Sequence, residues 1–176
     1  MLTLRTATLE DREALRALID RSARELGKGD YRPEQVEGAL QGAFGVDSQL
    51  ILDGTYFVVE EDDTIVGCGG WSYRRTLFGG DQRSQRDPGE LDPRGEAAKI
   101  RAFFVDPDHA RRGIGTLLLE RCENEARLRG FSRVELMSTL PGLRLYRARG
   151  YSESGRVQYE VSPGVSIEFV PMYKAI

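Results

Sequence analysis

Apolar positions along the chain fall into stretches of two periods, near 3.6 and near 2, and these predict the elements in order. Residues 2–6 alternate weakly and predict a short strand. Thr8 precedes Asp11 by three, an approximate capping box. Behind it Leu15, Leu18 and Ile19 recur at helical spacing, so an amphipathic helix is expected over 9–26. Gly27-Lys28-Gly29-Asp30 stops it. Pro33 suits the first turn of a second helix over 33–43, followed by a polar turn and Gly54. The β-branched and aromatic run 55–60 and the run 64–73 predict two strands joined by a charged hairpin turn at Glu61-Asp62-Asp63. The second strand holds Gly67, Gly69 and Gly70, which point to a bulge or to a close approach of another backbone.

Residues 76–96 scatter Gly79, Gly80, Pro88, Gly89, Pro93 and Gly95 among charges. This predicts a long loop of the kind used as a lid or binding segment. Ala98–Val105 reads as a strand ended by Asp106-Pro107. A helix follows from Gly113 to about Arg129, with Ile114, Leu117, Leu118, Cys122 and Ala126 on one side and Gly130 as its stop. Residues 134–137 read as a strand, 141–149 as a short helix ended by Gly150, and 153–161 and 165–174 as two closing strands. The order βααβββαβαββ, without repeat or linker, predicts a mixed α/β fold around one sheet, with residues 1–176 as a single domain.

Composition narrows the function. The 176 residues are 40% apolar and 30% charged, as expected of a globular chain with a real core. Mean hydropathy is −0.43. The longest apolar runs are short, such as Ala102–Val105, and predict no membrane span. The N-terminus carries no secretory pattern. Cys68 and Cys122 have neither metal-knuckle nor disulfide spacing, and a single histidine, His109, excludes a multi-histidine metal site. No metal is therefore expected, and the setting is expected to be reducing and cytoplasmic. Net charge is −3. Arginine outnumbers lysine 22 to 3, but the arginines are scattered, so no nucleic-acid partner is expected.

Candidate chemistry concentrates at Val105-Asp106-Pro107-Asp108-His109-Ala110-Arg111-Arg112-Gly113-Ile114-Gly115-Thr116. A strand ends, the chain turns, and two glycines open a long helix. The first amides of a helix lack intrahelical partners and lie at the positive end of its dipole. Glycines admit a phosphate close to the backbone, and Arg111 and Arg112 can add charge-assisted contacts. The local physics predicts a phosphate or pyrophosphate cradle. Neither a Walker loop nor a dinucleotide fingerprint fits, since Leu118 stands where the latter needs its third glycine.

This stretch resembles motif A of the GCN5-related N-acetyltransferase (GNAT) superfamily, [RQ]-x-x-G-x-[GA] after a strand ending near V-x-P. Ala110 stands at the first position, with Arg111 beside it to supply charge. A second block, Ser138 to Tyr151, resembles the family's N-x-x-A-x-x-[LF]-Y-x-x-x-G-[FY]. There Thr139 replaces Asn and Gly142 replaces Ala, while Tyr146, Gly150 and Tyr151 fit. Met172-Tyr173-Lys174 is similar to the closing M-x-K strand, so the resemblance covers the chain. It implies a GNAT-type acyl-CoA N-acyltransferase fold, with about seven strands in a mixed, centrally splayed sheet flanked by four helices.

The resemblance also implies a reaction: direct transfer of an acetyl group from acetyl-CoA, as cosubstrate, to a primary amine of a small molecule or peptide. Phe103, Phe104 and Val105 would pair with the pantetheine by backbone, Arg111 to Thr116 would hold the pyrophosphate, and Thr139 would lie beside the cofactor. A backbone N–H of the first splayed strand would polarise the thioester carbonyl. Tyr146 is the candidate acid for the leaving thiolate. No base is named: Lys99 and Arg101 occupy the strand where some relatives carry Glu, Glu135 is expected to face solvent, and His109 lies in a surface turn. Tyr31, Trp71 and Tyr73 are candidate acceptor liners. Asp81, Asp87, Glu90, Asp92 and Glu96 read first as a solvated loop and second as a lure for a cationic amine. The oligomeric state is open, a homodimer included. The alternative function is a non-catalytic acyl-CoA sensor of the same fold.

Overall fold

In the computed structural model the described residues run from Met1 to Ile176, the side chain of Leu26 excepted. The strands are β1 (Thr3–Thr6), β2 (Tyr56–Glu61), β3 (Thr64–Ser72), β4 (Ala98–Val105), β5 (Arg133–Ser138), β6 (Ser152–Glu153), β7 (Val157–Ser162) and β8 (Val165–Ala175). The helices are α1 (Arg12–Leu26), α2 (Pro33–Ala39), α3 (Ser48–Leu52), α4 (Ile114–Leu128) and α5 (Leu143–Ala148). One sheet runs β1-β2-β3-β4-β5-β8-β6, with β7 added to β8. Only β4 and β5 are parallel; the other pairs are antiparallel.

Local chemistry explains most boundaries. Thr8 N–H donates to Asp11 Oδ2 at 2.7 Å, half of the expected capping box. Asp62 and Asp63 both adopt left-handed φ, +50° and +61°, the geometry of a two-residue hairpin turn that matches strand twist. Gly130 and Gly150 end α4 and α5 at φ +91° and +90°. Three features depart from the sequence expectation. Helix α2 stops at Ala39 rather than near 43. The polar turn before Gly54 contains α3, whose Asp47 caps the N–H of Leu50 at 3.4 Å. The 153–161 strand divides into β6 and β7 around Gly155, at φ +104°.

An apolar layer covers each face of the sheet. On one, Ile114, Leu118, Leu119, Cys122 and Ala126 of α4 pack on Val134, Leu136 and Met172, with α5 alongside. Leu119 takes the place expected of Leu117, which is exposed. On the other, α1, α2 and α3 set Leu15, Leu18, Ile19, Val36 and Leu50 against Tyr56, Val58, Cys68 and Phe169. Burying one such aliphatic side chain contributes about 1.5–3 kcal/mol. The glycines of β3 serve this packing. A Cβ on Gly67 would strike Ile114, and one on Gly69 would lie 2.5 Å from the Phe103 ring. Both cysteines are free and buried. Among the described residues no helix is long and apolar enough to cross a membrane.

Candidate active site

The sheet opens at its centre. β4 pairs with β5 only at Ala98–Val134 and Lys99–Glu135, after which β5 continues with β8 alone. From Ile100 onward the β5-facing edge of β4 has no strand partner, and edge groups of this kind pair readily with an added chain. Ala102 bends the strand further. It sits at φ +57°, and the register against β3 shifts between Cys68 and Gly70. Such a bulge re-aims side chains. Ala102 and Phe104 join the α1–α3 layer, while Ile100 and Phe103 join the α4 layer. The buried Tyr56 hydroxyl donates to the Ala102 carbonyl at 3.0 Å and secures the strained residue from below.

A cavity of about 690 Å³ occupies the opening, lined from Ile100–Val105, Ala110–Thr116, the start of α5, and Tyr31, Phe44, Phe78 and Phe169. At one end Arg111 and Gly113 adopt φ +65° and +83°. Among the described residues no backbone carbonyl accepts from any N–H between Arg111 and Thr116, and no side chain caps α4. This row of free amides at a helix N-terminus can cradle a phosphate oxygen cluster. The two glycines have separate reasons. A Cβ on Gly113 would meet nothing within 4 Å, so the residue is needed for its φ; one on Gly115 would lie 2.7 Å from Leu145 Cδ2, so that residue lets α5 approach α4.

The arginines divide. Arg111 lines the cavity, as does Arg144 on α5. The Arg112 guanidinium turns away and binds Glu61 at 2.7 and 2.9 Å. That contact is the main cause that lowers the Glu61 carboxyl to about 2. The expectation of two phosphate-facing arginines is corrected: the Arg112 side chain belongs to the β2–β3 hairpin, and only its backbone N–H remains in the cradle.

Phe103, Phe104, Val105 and Thr139 also line the cavity. Thr139 Oγ1 accepts from Gly142 N–H at 3.2 Å at the start of α5. Tyr146 presents a ring that is 7% exposed, packed on Tyr151 at 5.6 Å and near Phe103 at 6.3 Å. Burial pushes its phenol well above the usual tyrosine range.

The acceptor liners separate as well. Tyr31 lines the cavity with its ring, while its hydroxyl donates to the Glu168 carbonyl at 2.7 Å and accepts from Leu140 N–H at 2.8 Å. Trp71 and Tyr73 lie elsewhere. Trp71 is 1% exposed in the α4 layer, its Nε1 donating to Glu125 at 3.0 Å, and Tyr73 packs edge-on to it beneath Arg129. Their assignment as liners is corrected: neither lines the cavity, and both pack in the α4 layer. Nor do the acidic loop residues line it; Asp81 binds Ser48 N–H, Asp92 binds Arg94, and Glu96 pairs with Arg75. Glu135 is ion-paired with Lys99, and His109 lies between Glu61 and Asp106.

Sequence reasoning missed one cluster. Arg101 lines the far end of the cavity and is 3% exposed. Its Nη2 donates to Asp47 Oδ2 and, at 3.2 Å, to the Gly79 carbonyl. Arg86 Nη2 donates to Asp47 Oδ1 at 2.9 Å. Asp47 lay in a stretch read as a turn and Arg86 in a stretch read as loop, so nothing local announced their meeting.

A splayed mixed sheet with a free amide cradle at the N-terminus of the helix after its central strand defines an acyl-CoA-type transferase architecture. The sequence pattern of the acetyltransferase (GNAT) family matches residues 13–151, and the chain belongs to that family. Solved structures agree in fold. A GCN5-related N-acetyltransferase from Rhodopseudomonas palustris is 20% identical, with TM-score 0.73 over 99% of this chain and 95% of that one. The PaiA N-acetyltransferase from Thermoplasma acidophilum, in complex with coenzyme A, is 15% identical, with TM-score 0.68 over 100% and 99%. YncA, a putative acetyltransferase from Salmonella typhimurium with its cofactor acetyl-CoA, is 17% identical, with TM-score 0.64 over 99% and 93%. No curated protein matches the chain by sequence.

Proposed function

We propose that residues 1–176 act as one N-acetyltransferase domain that moves an acetyl group from acetyl-CoA directly to a primary amine. The observation that carries this reading is the continuity of one cavity from the free amides of Arg111–Thr116, along the open edge of β4, to Tyr146. The pyrophosphate takes the amides and Arg111. The pantetheine amides pair with the backbone of Phe103, Phe104 and Val105 as an added strand. Relatives of the same fold whose structures contain coenzyme A or acetyl-CoA support the choice of cosubstrate.

Tyr146 stands on the wall past which the sulfur must leave. Burial favours its neutral form, so it serves the departing thiolate as a hydrogen-bond donor; full transfer would strand a phenolate in an apolar wall. The amine must arrive neutral, although lysine-type amines carry a proton up to about pH 10.4. Asp30, an exposed residue at the rim, is the only carboxylate among the described lining residues, so proton removal is assigned to water.

Calorimetry of acetyl-CoA binding, followed by thiol release against a panel of amines, tests the reading. Turnover on some amine, with Tyr146→Phe lowering kcat about 10–100-fold at unchanged acetyl-CoA affinity, is the expected result. Tight binding with no release on any amine would favour the sensor alternative. Turnover indifferent to Tyr146→Phe would remove the tyrosine from the mechanism.

A further inference from the structure

The far end of the cavity holds a polar group that the fold leaves incomplete. Arg101 belongs to β4, one residue before the bulge at Ala102, so its side chain joins the α1–α3 layer about one strand rise, roughly 3.3 Å, from the bulge. A guanidinium has five N–H donors. Asp47 and the Gly79 carbonyl use Nη2. Nε and Nη1 are buried and have no partner among the described residues. Buried donors of a charged group are seldom left so, because each forfeits its hydration without return.

The surrounding charge gives the missing partner a sign. The ionisable side chains that line the cavity are Arg101, Arg111 and Arg144, the two tyrosines, and Asp30 at the rim. Arg111 and Arg144 stand at the end of the amide cradle, where phosphates are accounted for. Arg101 stands at the opposite end. Its carboxylate, Asp47, is shared with Arg86 and so neutralises Arg101 only in part; Asp81 meets the outer side of Arg86 at 3.5 Å. No acidic side chain of the long loop reaches the cavity to welcome a second cation. Phe44, Phe78 and Phe169 supply the rest of this end: Phe78 packs edge to face on Phe169, and Phe44 lies tilted against the same ring.

We propose that the acceptor is a small amine that also carries a carboxylate on an apolar body, the carboxylate binding the Nε and Nη1 donors of Arg101. The class is that of apolar amino acids, rather than polyamines or the lysines of a protein surface. The inference rests on the transfer reading above and narrows its substrate. Arg101 is a binding residue for the acceptor; the carboxylate oxygens accept from it, and no bond to it forms or breaks. Burial already disfavours the charge of this guanidinium, which an incoming anion would restore.

The test pairs amines that differ only in the carboxylate: α-, β- and γ-amino acids with apolar side chains, their amides, and their decarboxylated counterparts. Thiol release is read with the wild-type protein and with Arg101→Gln and Arg101→Lys. Preference for the free acid by tenfold or more in kcat/KM, collapsing in Arg101→Gln with the loss mainly in KM, is the expected result. Unchanged acetyl-CoA affinity by calorimetry certifies that a variant folds, and Arg101→Lys, which keeps the charge but loses the forked donors, carries the test where Arg101→Gln does not fold. In parallel, an N-acetyl amino acid and its amide are titrated into the CoA-saturated protein. Tighter binding of the acid, lost in the variants, upholds the anion site even if no amine is acetylated, in which case the transfer reading alone fails. Turnover that ignores the carboxylate, or a preference that survives Arg101→Gln, overturns the inference and leaves the transfer reading standing. So does equal or absent binding of acid and amide where no amine turns over.

Discussion

The two ends of the cavity are built by opposite means. The end proposed for the cofactor uses backbone: N–H groups freed by a tight turn, aimed by Arg111 and Gly113 at positive φ, and contributed by one continuous stretch of chain. The end proposed for the acceptor uses side chains from segments far apart in sequence, with Tyr31, Asp47, Arg86 and Arg101 converging on it. A backbone cradle tolerates side-chain change, provided φ is kept. A convergent ion cluster does not, because each member desolvates the others. Failure at the first end should therefore read as lost affinity, and failure at the second as lost stability.

The largest effect is expected at the acceptor end. Asp47→Ala leaves Arg101 with no carboxylate in a site where its side chain is 1% exposed. Removing one partner of a buried pair costs about 3–5 kcal/mol. Urea unfolding of the variant should show a loss of that size, while acetyl-CoA affinity, measured where the protein is folded, stays within a few-fold of wild type. A loss under 1 kcal/mol would mean that water already serves this cluster, and the contrast between the two ends would dissolve.

Next comes Gly113→Asp at the cofactor end. The carboxylate would face amides meant for phosphate, at a residue held at φ +83°. Acetyl-CoA affinity should fall about 100-fold, or roughly 2.7 kcal/mol. Gly113→Ala isolates the backbone cost. It has room for its methyl, so it should pay only the left-handed penalty of about 1–2 kcal/mol in stability. Gly115→Ala should destabilise through Leu145 instead. If all three variants behaved alike, the separate roles assigned to these glycines would be wrong.

Legibility in the sequence followed the same division. The cradle could be read because its parts are consecutive and its glycines and arginines announce a turn before a helix. The order of strands and long helices could be read because each spans enough residues for a period to emerge. Helix α3 is too short for that, and its capping Asp47 looked like any turn aspartate. Parity along β3 places Trp71 on the same face as Gly67 and Gly69, but parity does not say which layer covers that face. It is α4, so Trp71 is core, and the wall we propose for the acceptor is made by Phe44, Phe78 and Phe169 instead. The β3 glycines marked a bulge at this level, but its placement at Ala102 on the neighbouring strand has no mark of its own, since alanine rarely adopts positive φ; the hydroxyl of Tyr56 holds it there.

A smaller effect sharpens the comparison within the cofactor end. Arg111→Gln should weaken acetyl-CoA binding about tenfold, a single charge-assisted contact of about 1.4 kcal/mol. Arg112→Gln should change it less than twofold, because that guanidinium is engaged by Glu61 outside the cavity. Equal losses from the two would return Arg112 to the phosphate site and mean that the Glu61 contact breaks when the cosubstrate binds.

The least effect is expected from Glu61 itself, and pH exposes it. Its carboxyl titrates near the ordinary 4.5 in the unfolded chain and near 2 when folded, chiefly because Arg112 donates to it. A depressed folded value means that the unfolded state binds the proton more readily, so the contribution to stability is complete above about 4.5 and is lost as pH falls toward 2. Melting temperatures of the wild type and Glu61→Gln should differ slightly and constantly above pH 5 and converge through that acid window. Arg112→Gln should give the same convergence, since it removes the donor rather than the acceptor of one pair. Because the pair lies near the surface, added salt should shrink the gap at every pH. A gap that persists at pH 2 would assign Glu61 a role independent of its charge, and the hairpin would then owe its position to packing rather than to this arginine.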